Sequence, residues 1–206
     1  MGLTMKLSKL FITGCDSKTS WMLPWFKENF FKHNPDSELK VYDFNNIDGI
    51  KWFVKPSVMH KASKLAEKVV WLDTDVEVRS NLDSIFDYIE PNKLSMVKDH
   101  PWTIRRQEVW HNSGVVGFSG TPTILTHWAS ECSRITEEQG PMFGDQDILH
   151  YLVREGMNRL VHINDLPHSY NVLRLDLIDN VAPKNIKCMH WTGKKGKEKI
   201  KELISG

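Results

Sequence analysis

The sequence predicts an α/β fold built on a mostly parallel sheet, and three observations carry that expectation. Strand-like and helix-like segments alternate, strand, helix, strand, helix, strand, within about the first 75 of 206 residues. The third strand candidate, Val69-Val70-Trp71-Leu72, is continuously apolar, as in a central strand covered on both faces. The intervening segments carry apolar residues at helical rather than alternating period.

Residues 7–13 (LSKLFIT) form a short β-rich run that breaks at Gly14, Cys15, Asp16 and Ser17, as a buried strand does on entering a loop. A polar loop at the carboxyl end of a first strand is a usual ligand position in an open α/β sheet. Residues 20–33 place Trp21, Met22, Leu23, Trp25, Phe26, Phe30 and Phe31 on a broad apolar helix face, with Pro24 tolerated in the first turn. Residues 39–44 read as a second strand, ended by Asn45, Asn46, Asp48 and Gly49. A helix is expected over 55–68, opening near Pro56 and burying Val58, Ala62, Leu65 and Ala66.

Beyond the third strand, residues 82–89 read as a short amphipathic helix closed by Pro91, and 94–97 and 115–118 as strands. Thr121 or Thr123 is expected to cap a helix running through Ile124, Leu125, Trp128, Cys132 and Ile135, with Trp128 in the core. Residues 144–154, following Pro141-Met142-Phe143, suit a helix with acids at its amino end. Short strands at 160–163 and 186–189 and a terminal helix over 197–204 complete the reading. No repeat and no linker interrupts the chain, so one domain over 1–206 is expected.

Lys and Arg number 27 against 26 Asp and Glu, so the chain steers weakly toward either sign of partner and nucleic acid is not implied. The local exception is the tail, where Lys194, Lys195, Lys197 and Lys199 crowd around two glycines, either to hold anionic oxygens or as a solvated helix face. Cys15, Cys132 and Cys188 match no zinc or disulfide framework and favour a reducing compartment. No signal-peptide pattern opens the sequence and no apolar run approaches 18 residues, so no transmembrane segment and a cytoplasmic setting are expected. A domain of a longer protein and a weak homo-oligomer are both compatible with this composition.

The sharpest local feature is VVWLDTDVEV, residues 69–78. Alternate residues of an extended segment share a face roughly 6.5–7 Å apart, so Asp73 and Asp75, on either side of Thr74, can converge on one cation where the strand ends. Mg²⁺ and Mn²⁺ are hard ions that take oxygen ligands, commonly one or two carboxylates plus substrate phosphates. The competing reading is a turn cap and a solvated acid. His190 follows a short apolar strand and precedes Trp191-Thr192-Gly193-Lys194; a neutral imidazole suits Mn²⁺ better than Mg²⁺, and lysines suit a diphosphate. The other eight histidines form no i,i+4 pair with an intervening acid, so a zinc hydrolase finds little support. Asp145, Gln146 and Asp147 can bind sugar hydroxyls or act as plain helix caps, and Asn112 and Gly114 can serve a site or only a loop.

Taken in order, these motifs resemble the GT-A superfamily of glycosyltransferases, most closely the glycogenin and bacterial galactosyltransferase-like family 8. The strand with Thr13 to Asp16 resembles its nucleotide-binding first loop, LAEKVVWLDTDVEV its DxD strand, and HNSGVVGF (111–118) its Asn-x-Gly strand. GDQDIL (144–149) is similar to its Asp-Gln-Asp segment, and MHWTGKKGK (189–197) to its terminal His-x-x-Gly-x-Lys motif. The resemblance spans residues 7–197. It implies a GT-A fold, a Rossmann-like, mostly parallel central sheet flanked by helices with a small additional antiparallel element. It further implies a nucleotide-sugar donor, usually of uridine diphosphate, and a glycan or other hydroxyl acceptor.

Carried over by position, the resemblance implies that Asp73, Asp75 and His190 hold Mn²⁺ or Mg²⁺ against the donor's phosphates. Lys194, with Gly193 and Lys197, would contact the diphosphate, and Lys61 matches a basic residue near donor and phosphate. Thr13, Gly14, Cys15 and Asp16 would surround base and ribose, and Asn112, Asp145, Gln146 and Asp147 would line the donor sugar and acceptor. Retention of anomeric configuration is favoured, with Asp147 and Gln146 positioning the reacting sugar; an inverting enzyme would need a base, for which Asp145 and Asp99 are available. The tail departs from the family in having Lys195-Gly196-Lys197 where an aromatic residue is usual after the lysine, and the chain is short. A sugar-nucleotide or carbohydrate-binding protein without turnover and a Mg²⁺-dependent nucleotidyltransferase share the acidic pair; the latter should carry a denser Gly-rich loop than Gly14 alone supplies.

Overall fold

Period-two alternation along the central strands divides the core into two layers, one on each face of a six-stranded sheet. In β1 (Leu7–Cys15) Phe11 points to one layer and Leu10 and Ile12 to the other. In β3 (Ala66–Leu72) Val70 and Leu72 join Phe11, while Val69 and Trp71 join Ile12. The first layer is filled by Trp25, Phe26 and Phe30 of α1 (Leu23–His33) and by a second, smaller sheet; the other by Val58, Met59 and Ala62 of α2 (Lys55–Ala62) and by a later helix carrying Trp128. Phe26, Phe30 and Trp128 are fully buried, each contributing on the order of 2–3 kcal/mol of apolar burial.

The computed structural model describes residues 6–139, 144–156 and 158–206. After β2 (Leu39–Asp43), α2 and β3 come β4 (Val76–Val78), β5 (Leu94–Lys98), α3 (His100–Arg106), β6 (His111–Ser119), α4 (Thr123–Ser133) and α5 (Asp145–Tyr151). Then follow α6 (Arg159–His162), β7 (Ile163–Asp165), β8 (Val172–Leu173), α7 (Arg174–Ile178), β9 (Cys188–His190) and α8 (Gly193–Ser205). The large sheet has the order β2-β1-β3-β6-β5-β7. β1 is parallel to β2 and β3, and β7 is parallel to β5, while β6 runs antiparallel between β3 and β5. The α/β architecture with a mixed, mostly parallel sheet flanked by helices is as the sequence predicts.

The small sheet, order β4-β9-β8, is mixed rather than antiparallel, because β8 runs parallel to β9. It fixes the site: the pairing of Val76 with His190 and the Trp191 N–H donating to the Asp75 carbonyl at 3.0 Å stitch a segment 115 positions downstream onto the turn after β3.

Several boundaries differ from expectation for identifiable reasons. The helix expected over 55–68 ends at Ala62, because Ala66 and Lys68 pair with Leu7 and Lys9 of β1; the strand ladder overrides the helical preference of Ala, Glu and Lys. Leu65 is accordingly exposed. Residues 82–89 form a 3₁₀ helix over Asp83–Tyr88. Residues 159–162, expected to open a strand, are helical, started by the Asn158 side chain accepting from the Leu160 N–H at 3.0 Å. Leu160 and Val161 are exposed and have no sheet face to fill. Neither Thr121 nor Thr123 caps α4: the cap position is Pro122, and Thr121 Oγ1 bonds Ser63 Oγ at 2.7 Å. α5 passes into a π-helical stretch at Leu152–Gly156, and α3, β8 and α7 are elements the sequence reading did not contain. The Pro141-Met142-Phe143 segment lies outside the described residues. All three cysteines are free and buried.

Candidate active site

β3 ends at Leu72 and β4 begins at Val76, so Asp73-Thr74-Asp75 is a turn, closed by the Val76 N–H donating to the Asp73 carbonyl at 3.1 Å. The turn, not strand alternation, brings the two carboxylates together at the carboxyl end of a central parallel strand. Small-sheet register then places His190 beside them. Nε2 of His190 lies 3.1 Å from Asp75 Oδ1 and 3.9 Å from Asp73 Oδ2, and one ligand atom from each of the three residues falls within 4.8 Å of the others. The imidazole is almost fully buried, while both acids keep partial exposure toward a cleft of about 240 Å³.

The opposite wall is held by Lys55. Its buried ammonium lies 2.8 Å from Asp145 Oδ2 and 3.4 Å from Asp73 Oδ1, and donates to the Ser113 carbonyl at 3.2 Å and Ser113 Oγ at 3.0 Å. Burial alone would favour the neutral amine; the Asp145 and Asp73 carboxylates more than reverse this and hold the Lys55 pKa above its ordinary value. Asp73 also accepts from Trp71 Nε1 at 2.6 Å.

The two acids of the turn shift in opposite directions. Burial raises the pKa of Asp73, with Lys55 opposing, whereas for Asp75 burial also pushes upward but His190 outweighs it and brings the group below its ordinary value. Burial pushes the His190 imidazole down, but Asp75 and then Asp73 outweigh it and its pKa is raised. Three carboxylates, Asp73, Asp75 and Asp145, against the ammoniums of Lys55 and Lys197 leave one net negative charge with neutral imidazole, so the cleft favours a cation.

Of the residues singled out in the sequence, Gly14, Asp73, Thr74, Asp75, Asn112, Asp145, Gln146, His190 and Lys197 line this cleft. Gln146 is held rigidly: its Oε1 accepts from the Ser113 N–H at 3.2 Å and from Asn112 Nδ2 at 3.1 Å, and its Nε2 donates to Asp99 Oδ2 at 3.1 Å. Thr13 and Cys15 are buried in β1, where burial and then Asp43 push the Cys15 thiol up. The Asp16 carboxylate is occupied by the Thr19 N–H (2.9 Å), the Thr19 hydroxyl (2.7 Å) and the Lys18 N–H (3.0 Å). Asp147 accepts from the Gly144 N–H at 2.6 Å and faces a neighbouring cavity with Glu108, Trp110 and Arg154. Gly193 and Lys194 are exposed outside the cleft lining, as is Lys61 on α2.

The sequence reading passed over Lys55, Ser113, Thr19, Phe44 and Trp52, all of which line the cleft. Lys55 had a legible signal: with Val58, Met59 and Ala62 it occupies positions i, i+3, i+4 and i+7, the buried stripe of α2, and a lysine on a buried stripe must have an anionic partner. Phe44 and Trp52 had none, since they reach the cleft from 3₁₀ turns whose direction only the packing sets.

No family model and no curated protein sequence matches the chain. Solved structures do match in three dimensions. One is a glycosyltransferase involved in the glycosylation of the major capsid of PBCV-1, with a TM-score of 0.68 at 15% identity over 96% of this chain and 99% of that one. A second is the galactosyltransferase LgtC in complex with donor and acceptor sugar analogs, with a TM-score of 0.60 at 16% identity and 95% coverage of both chains. The chain has a GT-A-like glycosyltransferase fold. GlyE of Streptococcus pneumoniae TIGR4 shares this GT-A-like fold at a TM-score of 0.60 and 16% identity, over 91% of this chain and 55% of its own. At such identities the likeness carries the fold, and the Asp-Asp-His cluster supplies the independent chemical observation of a site able to hold a divalent metal. No helix among the described residues is long and apolar enough to cross a membrane.

Proposed function

We propose that the chain is a metal-dependent glycosyltransferase that moves a sugar from a uridine diphosphate donor to a carbohydrate or other hydroxyl acceptor, with retention of configuration. The observation that carries the reading is the convergence of Asp73, Asp75 and His190 at the mouth of a cleft whose far wall is Asp145 and Gln146. The donor set fits a divalent ion: two carboxylates, one imidazole nitrogen and a net negative charge in the cleft, with the imidazole favouring Mn²⁺ over Mg²⁺. When bound, the cation supplies the positive charge that stabilises a departing diphosphate, an effect commonly worth several kcal/mol.

The chain's own residues do the rest. Lys197, the one tail lysine in the cleft lining, adds a cationic donor toward phosphate oxygens. Phe44 and Trp52 offer planar apolar surface beside Gly14 and Thr19 for the base. Gln146, fixed at both ends of its carboxamide, holds the sugar in place without reorganising, while Lys55 keeps Asp145 paired beside it. Lys55, not Lys61, is the lysine of α2 that reaches the cleft, where it fixes the wall rather than facing the phosphates.

Calorimetry of uridine diphosphate binding with and without Mn²⁺ tests the reading. Binding is expected to require Mn²⁺ in the wild type and to be lost in a folded Asp75→Ala variant, together with transfer from a panel of uridine diphosphate sugars. Nucleotide binding indifferent to Mn²⁺ sinks the proposal; Mn²⁺-dependent donor binding without product over a broad acceptor panel favours a binding protein instead. Anomeric analysis of the product by NMR decides retention.

A further inference from the structure

The geometry points to Asn171 as the positioning residue for the metal centre: its side-chain oxygen accepts a hydrogen bond from His190 Nδ1–H and so aims Nε2 at the space between Asp73 and Asp75. This role rests on the metal-dependent reading above and adds to it a residue that no motif contains.

The starting point is a backbone group. The Gly114 N–H donates to Asn112 Oδ1 at 2.9 Å, and since a backbone N–H can only donate, this fixes which end of the Asn112 carboxamide is oxygen. Asn112 Nδ2 is then turned outward, to Asp99 Oδ2 at 3.2 Å and Gln146 Oε1 at 3.1 Å, and its two hydrogens are used. Asn171 Nδ2 donates to Asn112 Oδ1 at 2.8 Å; flipping Asn171 would set two amide oxygens against each other, so its orientation is fixed in turn. His190 Nδ1 faces two oxygens, Asn112 Oδ1 and Asn171 Oδ1, each at 3.1 Å. A nitrogen between two acceptors carries a proton; Nε2 faces a carboxylate as well, 3.1 Å from Asp75 Oδ1, and is the nitrogen that gives up its proton when a cation binds. Asn112 Oδ1 already receives two shorter bonds, matching its two lone pairs, which leaves Asn171 Oδ1 as the principal acceptor.

Metal-binding histidines ordinarily have the non-ligating nitrogen hydrogen-bonded in this manner, which sets tautomer and ring direction together. Asn171 is fully buried, 0% exposed, just before β8, so it acts on substrate only through His190. Gly114 completes the arrangement. A Cβ there would fall on the His190 ring, so the glycine is needed for the imidazole to lie flat against β6. The same carboxamide chain ends on Gln146, so the amide pair joins the metal centre to the opposite wall of the cleft.

The test compares Asn171→Leu, which removes the acceptor while keeping the branched heavy-atom skeleton, with Asn171→Asp, which keeps an oxygen facing Nδ1. In Mn²⁺ and Mg²⁺ titrations of the nucleotide-free protein, Asn171→Leu is expected to bind Mn²⁺ about 10–100-fold more weakly and Mg²⁺ with a much smaller loss, because the nitrogen ligand is what distinguishes the two ions. Asn171→Asp should recover part of the Mn²⁺ affinity. Unchanged Mn²⁺ affinity in Asn171→Leu, or an equal loss for both ions, overturns the proposal. A second measurement needs no variant: long-range ¹H–¹⁵N spectra of the metal-free wild type should show a proton on Nδ1, and a ring protonated on Nε2 alone would refute the assignment. Should the wild type bind no Mn²⁺, the proposed function falls, while the ring tautomer still decides the role of Asn171.

Discussion

At the carboxyl end of β3 one carboxylate, Asp73, belongs to two charge clusters of opposite character. Toward α2 and α5, Asp73 and Asp145 close on the Lys55 ammonium, which also donates to Ser113; the cluster is compensated from within the protein. Toward β9, Asp73 and Asp75 face a single imidazole whose far nitrogen is held by asparagine oxygens. The first cluster resembles a buried salt bridge that fixes the wall of the cleft. The second presents ligand atoms that the protein leaves for something else to neutralise. Acid clusters are common, and what separates a structural one from a metal centre here is where the compensating charge comes from.

Removing Lys55 should produce the largest effect, and it attacks the compensated side of the comparison. Lys55→Met strands two partly buried carboxylates, and urea denaturation is expected to show a loss of about 3–5 kcal/mol. The cleft loses one positive charge, so Mn²⁺ should bind the variant at least as tightly as wild type; weaker Mn²⁺ binding by a folded Lys55→Met protein would mean the two clusters are not distinct. Gly114→Ala strikes the other side. Its new methyl group must displace the His190 ring, with an expected overpacking cost of about 1–3 kcal/mol and a loss of Mn²⁺ affinity measurable by calorimetry. Wild-type Mn²⁺ affinity there would remove His190 from the centre.

The smallest effect separates two lysines three positions apart. Lys197→Ala should raise the donor KM about tenfold, the scale of one charge-assisted hydrogen bond, whereas Lys194→Ala should change it less than twofold. Equal effects would show that the tail closes over the donor differently from the arrangement seen here. Lys197 reaches the cleft because α8 starts at Gly193 and Gly196 presses its backbone against Trp191, where a Cβ would collide with the main chain.

How far the site was legible depends on the kind of signal each residue carries. Asp73 and Asp75 stand out because two acids follow an unbroken apolar strand. His190 needed the run of glycine and lysine after it to be noticed at all. Lys55 was readable from the α2 stripe, whereas Lys61 was singled out only by its position in the family resemblance and is exposed on α2; Ala66 to Lys68 belong to the sheet only because β1 lies alongside to pair with them. Asn171 had no local signal, since nothing near it in sequence shows that a histidine ring will arrive 19 positions later.

Local pattern by itself determined the alternation of strands and helices, the continuous apolar character of β3, and hence the α/β class and the placing of two acids at a strand end. Those are short-range properties, set by period, burial and turn chemistry within a few residues. The antiparallel insertion of β6, the joining of His190 to the Asp73–Asp75 turn, the enclosure of Lys55 and the chain of carboxamides from Gly114 through Asn171 were decided only by tertiary structure. Each depends on contacts between segments tens of residues apart, whose register follows from how the two core layers pack.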